Sequence, residues 1–122
     1  MSETKGMQMN LKDMDKQRGH KFFAPESGIP KLYETDGLAD KVAHIHYFIG
    51  DWDWYILELD TETQQAFGLV YSMYTDAQGE LGYVDLQELS AVRAGLYKQP
   101  VERDLHWKPT NISEIRKERE SR

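Results

Sequence analysis

Two histidines on alternate residues, His44 and His46 in "KVAHIHYFIG", are the nearest approach to a metal-ligand pair in the sequence. On a β-strand, residues two apart share a face about 6.5 Å apart. Neutral imidazole at such a spacing is a common ligand for Zn²⁺. A two-residue turn at Gly50-Asp51 would set Ile49 opposite Trp52, His46 opposite Tyr55 and His44 opposite Leu57. Those neighbours are poor third and fourth ligands. Glu58 would then lie on the other face, unless the register slips by one residue. The histidines are therefore read as packed or surface residues, and no metal or other cofactor is expected. The alternative is a small metal-dependent enzyme built on His44, His46, Glu58 and nearby acids.

Other constellations are weaker. "DAQGELGYVDLQEL" imitates a calcium loop, with Glu88 as its twelfth position and Gly82 as its sixth. Ala77, Gly79 and Leu81 then occupy positions one, three and five, where oxygen ligands are required. A turn, a strand and a capped helix explain every match. "VERD" places Glu102, Arg103 and Asp104 just before His106. An arginine between two acids reads as a structural ion pair that ties a loop down. Ser27, Ser72 and Ser90 lack a nucleophile-elbow context, and the glycines form neither a phosphate loop nor a dinucleotide fingerprint. No catalytic residue is assigned.

Rings and acids crowd together in "GDWDWYILELD", Gly50 to Asp60. Alternation places Trp52, Trp54, Ile56 and Glu58 on one face and Asp53, Tyr55, Leu57 and Leu59 on the other. Both faces are apolar in the middle, so this strand is expected to be central and covered on both sides, with its acids at solvated ends. The residues around it suggest antiparallel partners. "KVAHIHYFIG" (41–50) and "AFGLVYSMY" (66–74) read as strands joined to it by short turns, and residues 82–84 as a fourth strand. Residues 31–33 read as a short edge strand. Asp85 followed by Glu88 looks like a capping box opening "LQELSAVRA", which would end near Gly95 with Leu86, Leu89, Val92 and Leu96 as its apolar stripe. Residues 101–107 alternate and read as extended. Thr110 or Asn111 would cap a charge-rich helix running to Arg119. The expected fold is α+β: a four- to five-stranded, mainly antiparallel sheet with one or two helices packed on it. Residues 1–21 read as a flexible polar arm and residues 22–122 as one domain.

Composition narrows the function classes. The chain has no cysteine, which excludes disulfides, thiolate metal sites and cysteine nucleophiles. No apolar run approaches the ~18 residues of a membrane span, so no membrane partner is expected. The N-terminus lacks the apolar stretch of a signal peptide, so cytoplasmic residence is expected. Net charge is −6, but residues 34–91 hold 12 acidic side chains and a single base, Lys41. A block this acidic repels phosphate, so nucleic-acid binding through it is not expected. It either forms a solvated face or meets a protein partner with a basic surface. A single-stranded nucleic-acid binder stacking bases on Trp52, Trp54 or Tyr83 is a further alternative, which the charge opposes.

Four strings in order, "WDWYILELD", "FGLVYSM", "ELGYVDLQELSAV" and "PVERDLHWKP", resemble a domain-of-unknown-function family of small single-domain proteins. Its pattern reads W-T-W-Y…E, F-G-L-V, E-L-G-Y-x-x-L-x-E-L and E-R-D. The resemblance spans about residues 29–115. It places the pattern on Trp52, Trp54, Tyr55 and Glu58, on Phe67, Gly68 and Leu69, on Glu80 to Tyr83 with Leu86, Glu88 and Leu89, and on Glu102, Arg103 and Asp104. Asp53 stands where the family usually has threonine, and neither histidine belongs to the pattern. The resemblance implies an accessory protein of plasmids, phages and integrated elements, with no activity to carry over. The combined expectation is a non-catalytic binding protein using Trp52, Asp53, Trp54, Glu58, Tyr83, Glu102, Arg103 and Asp104, with a host nucleic-acid-directed defence complex (CRISPR or restriction type) as its target.

Overall fold

The structure is a computed structural model that describes residues 15, 16, 18–24 and 28–122. Most of the expected N-terminal arm lies outside the described residues. Where its end is described, it is tied down. Arg18 is buried and donates to Val101 O and Ser90 O, each at 2.7 Å, with Asp15 as its counter-ion at 2.7 Å.

The chain forms β1 (Val42–Ala43), β2 (Ile45–Ile49), β3 (Trp52–Leu59), β4 (Gln65–Tyr71), β5 (Glu80–Asp85), α1 (Leu86–Ala91), β6 (Arg93–Ala94), β7 (Gln99–Pro100), β8 (Glu102–Arg103), β9 (Thr110–Asn111) and α2 (Ile112–Glu120). The main sheet is antiparallel, in the order β5-β4-β3-β2-β8. The fold is α+β, and the ring-rich strand β3 is central, as its two apolar faces require. Tyr55 through Leu59 are all buried.

Each face has its own core. On one, Ile45, Tyr47, Ile56, Leu59, Ala66 and Val84 pack beneath Phe22, Leu86, Leu89 and Val101. On the other, Ala43, Tyr55, Leu57, Leu69 and Tyr71 pack beneath Ile112 and Ile115 of α2. Burying each large apolar side chain contributes about 1.5–3 kcal/mol, so α2 is held by packing rather than by its polar sequence.

The β2–β3 register is the one a two-residue turn dictates: Ile49 faces Trp52 and His46 faces Tyr55. Two irregularities alter the rest. Ala43 packs in the α2-side core and Ile45 in the opposite one, so alternation breaks at His44; the β2–β3 ladder ends at Ile45–Ile56, and His44 N–H donates to Ile56 O at 2.8 Å instead of the residue pairing with Leu57. In β3 the register with β4 shifts between Ile56 and Glu58. Ile56 faces Gly68 while Glu58 faces Phe67, which moves Glu58 to the α2 side and Leu59 to the other. Gly68 permits the close approach here: a Cβ on it would stand 2.7 Å from the Tyr55 carbonyl oxygen.

Several boundaries differ from expectation. Residues 31–37 form turns rather than an edge strand, with Tyr33 at φ 71°; the fifth strand is β8 instead. The strand expected over 66–74 ends at Tyr71, and Ser72 to Thr75 close a hydrogen-bonded turn. Asp85 caps α1 by accepting from Gln87 N and Glu88 N, but the helix stops at Ala91 because Val92 is extended. Val92 and Leu96 are therefore exposed rather than part of a stripe. Asn111 occupies the cap position of α2 without a side-chain capping bond, and its amide donates to Asp40 Oδ2 at 3.2 Å instead. Asp40 acts from a distance, accepting Ser113 N at 3.0 Å and Ser113 Oγ at 2.7 Å. Among the described residues, no helix is long and apolar enough to cross a membrane.

Candidate functional site: an acid-lined groove at His46

The site is assembled from the paired strands β2 and β3 and from the chain that follows β8. Asp104 N–H donates to His46 O at 2.8 Å, which fastens the "ERD" segment beside β2. His46 and Asp53 emerge on the α2 side of the sheet. The imidazole lies parallel to the Tyr55 ring, 4.5 Å away at 8°, with Trp107 5.1 Å distant. Its Nε2 meets Asp53 Oδ1 at 2.7 Å and its Nδ1 meets Asp104 Oδ2 at 3.2 Å. A neutral ring can donate to only one of these carboxylates, and an imidazolium to both. The other Asp53 oxygen accepts from Arg119 at 3.3 Å, and the same guanidinium nitrogen donates to the Tyr55 hydroxyl at 3.1 Å. Burial, aided by the Asp53 charge and opposed by Arg119, pushes the Tyr55 hydroxyl above its ordinary value. A polar chain thus runs Asp104–His46–Asp53–Arg119, from the loop after β8 to α2.

The groove over this chain has a volume of about 490 Å³ and is open to solvent. Glu102, Arg103, Asp104 and Asp53 line it with His46. Arg103 is anchored, donating to Lys21 O at 3.1 Å. It does not pair with its neighbouring acids as the sequence suggested; Asp104 instead meets His46 and accepts His106 N–H at 3.0 Å. His20, His106, Phe48 and Leu105 complete the lining. None of these four was singled out for binding in the sequence, although Leu105 and His106 lie within the string "PVERDLHWKP".

The remaining expected site residues lie elsewhere. Trp52 and Trp54 point to the opposite face from Asp53, stacked on each other at 5.5 Å and 15°. Trp54 packs against the core, and Trp52 keeps an outer edge beside Tyr74. Tyr83 sits on β5 with its hydroxyl bonded to that of Tyr33.

Glu58 is 2% exposed and closed off. Its carboxylate accepts from Tyr33 N at 2.7 Å, Thr35 N at 3.1 Å and the Thr35 hydroxyl. Burial raises this carboxyl, but the bonds from Thr35 and Tyr33 and the charge of Lys41 outweigh it and hold it below its ordinary value. Glu58 is thus the anchor of the 31–37 turn. His44 is held below its ordinary pKa by burial and does not join His46. Among the described residues, no group of three His, Asp or Glu side chains is placed to hold a metal ion.

Much of the acidic block proves to be local capping. Asp40 caps α2, Asp85 caps α1, and Asp60 accepts Glu62 N at 2.9 Å in the β3–β4 turn. Hydrogen bonds hold Asp40 and Asp60 below the ordinary carboxylate range.

Fold and site together define an α+β sheet protein with an acid-lined surface groove. The chain belongs to the family described as "Protein of unknown function (DUF2958)", whose model matches residues 34–118. No curated protein and no solved structure matches it.

Proposed function

We propose that the chain is a non-catalytic binding protein that docks a protein partner carrying a basic surface, through the groove around His46. The observation that carries this reading is the convergence of Asp53, Glu102 and Asp104, from β3, β8 and the following loop, on one open cavity. Their neighbours are rings rather than nucleophiles. An arginine or lysine of the partner would be received between the carboxylates, with Phe48 and Leu105 against its stem. The family resemblance supplies the setting, an accessory protein of a mobile genetic element acting in the cytoplasm. In that setting a nucleic-acid-directed defence complex, whose channels are basic, is the partner whose chemistry fits. The metal-dependent alternative would require His46 to give up one of the carboxylates that its two nitrogens face. Base stacking would use the outer edge of Trp52 or the exposed ring of Tyr83.

Charge attraction between exposed groups is screened beyond about 10 Å at 0.1 M salt, so association with such a partner is expected to slow as salt rises. Stopped-flow binding to a partner recovered from the host, across a salt series, tests this. An association rate independent of salt, or binding unchanged in an Asp53→Asn/Glu102→Gln/Asp104→Asn variant, would overturn the reading.

A further inference from the structure

The main sheet has β8 at one end and β5 at the other, and β5 is long enough to pair again. The register settles which of its backbone groups are free. Asp85 faces Gln65, and one step on Leu86 N–H donates to Gln64 O at 2.9 Å. Bonded and non-bonded pairs alternate along an antiparallel ladder. Val84, Gly82 and Glu80 therefore turn their N–H and C=O groups toward β4, and Leu81 and Tyr83 turn theirs outward. The other side of β4 agrees: Asp60 N–H donates to Gln65 O, which commits Gln65 and Phe67 to β3. Leu81 and Tyr83 also carry exposed side chains, 47% and 56% accessible. The strand has no lysine, no proline and no bulge, the devices that usually block an edge.

We propose that a second copy of this chain pairs with this edge, β5 against β5, antiparallel about a two-fold axis. Only outward-facing residues can bond across the axis, which restricts the register. Centred on Gly82, Leu81 exchanges backbone bonds with Tyr83 of the second copy, and Tyr83 with its Leu81. The two pairs place four apolar side chains on one face. Glu80 then falls opposite Val84 and Gly79 opposite Asp85, so no carboxylate faces a carboxylate. Charge favours the same alignment. Arg116 of α2 donates to Gln78 O at 3.0 Å, at one end of β5, and Asp85 stands at the other. The antiparallel arrangement brings each Arg116 toward the other copy's Asp85. The groove at His46 lies at the far side of the sheet, beyond β3 and β2, so a dimer would present two grooves and neither surface depends on the other.

Sedimentation velocity of the full chain, from micromolar to millimolar concentration, tests the pairing. The expected result is a reversible monomer–dimer equilibrium. Leu81→Pro removes only an outward N–H and should weaken the dimer at least about tenfold. Arg116→Glu should weaken it by about threefold. In parallel, the Leu81 and Tyr83 amides of the unaltered chain should exchange more slowly as concentration rises, a readout that does not depend on the variant folding. A monomer at every concentration overturns the proposal. So does a dimer unchanged in Leu81→Pro, or one whose formation leaves those two amides unprotected.

Discussion

Asp53 and Glu58 are carboxylates on the same central strand, five residues apart, and they have opposite fates. Glu58 is enclosed, accepts bonds from Tyr33 and Thr35, and has no room for anything else. Asp53 stands at an open groove and shares its oxygens between His46 and Arg119. The bulge beside Gly68 makes the difference at one end, by turning Glu58 under the 31–37 turn. At the other end the strand stays regular and Asp53 meets the groove. A carboxylate enclosed by backbone N–H groups and a hydroxyl is structure; one held by side chains beside a cavity is available to a partner.

The sharpest way to break this comparison is to neutralise Glu58. Glu58→Gln replaces a charge-assisted acceptor in a closed site and should cost about 2–4 kcal/mol. Thermal melting should then fall by roughly 10–15 °C for a chain this size. A change of a degree or two would mean that the anchor is not one.

Gly68→Ala attacks the bulge itself. The new Cβ would collide with the Tyr55 carbonyl, so a loss of about 2–3 kcal/mol is expected, read from the urea midpoint. An unaltered midpoint would show that the strands can part there at no cost.

Acid titration separates the two carboxylates without mutation. The Glu58 carboxyl is depressed in the folded chain, so its contribution is complete above its unfolded value, near 4.3. It is lost as pH falls through the lower folded value. Stability should therefore decline on the acid side of pH 4, and that limb should flatten in Glu58→Gln. A limb of equal slope in both proteins would place the effect elsewhere.

The smallest stability effect is expected at the groove. Asp104→Asn should cost less than about 1 kcal/mol, because its pairing with His46 is partly solvated. The same variant should nevertheless weaken binding of a basic probe. A stability loss as large as that of Glu58→Gln would make Asp104 a structural residue like Glu58, and the contrast would vanish.

The sequence shows the sheet but not its irregularities. Apolar runs on both parities of Trp52–Leu59 dictate a central strand, and Gly50-Asp51 dictates the register that puts His46 against Tyr55. Asp85 announces its helix because the cap is local. The Glu58 bulge escapes a period-two reading, since one extra residue reverses every later side chain. The cap of α2 escapes too, because Asp40 is far from Ser113 in sequence. Asp53, Glu102, Arg103 and Asp104 are singled out for binding in the sequence, but only the fold brings them to one groove. Trp52 and Trp54 were grouped with them by adjacency, although alternation places them on the other face. His20, His106 and Arg119 join only through the fold.

The central claim is that acids from separate segments make one receptor for a basic side chain. Amide chemical-shift mapping with an arginine-rich hexapeptide as probe tests it most directly. The predicted result is a set of shifts centred on His46, Asp53, Glu102 and Asp104, absent in the Asp53→Asn/Glu102→Gln/Asp104→Asn variant. Shifts scattered over Asp40, Asp60, Glu62 and Asp85, or unchanged in that variant, would contradict it and leave the acidic block as a solvated face.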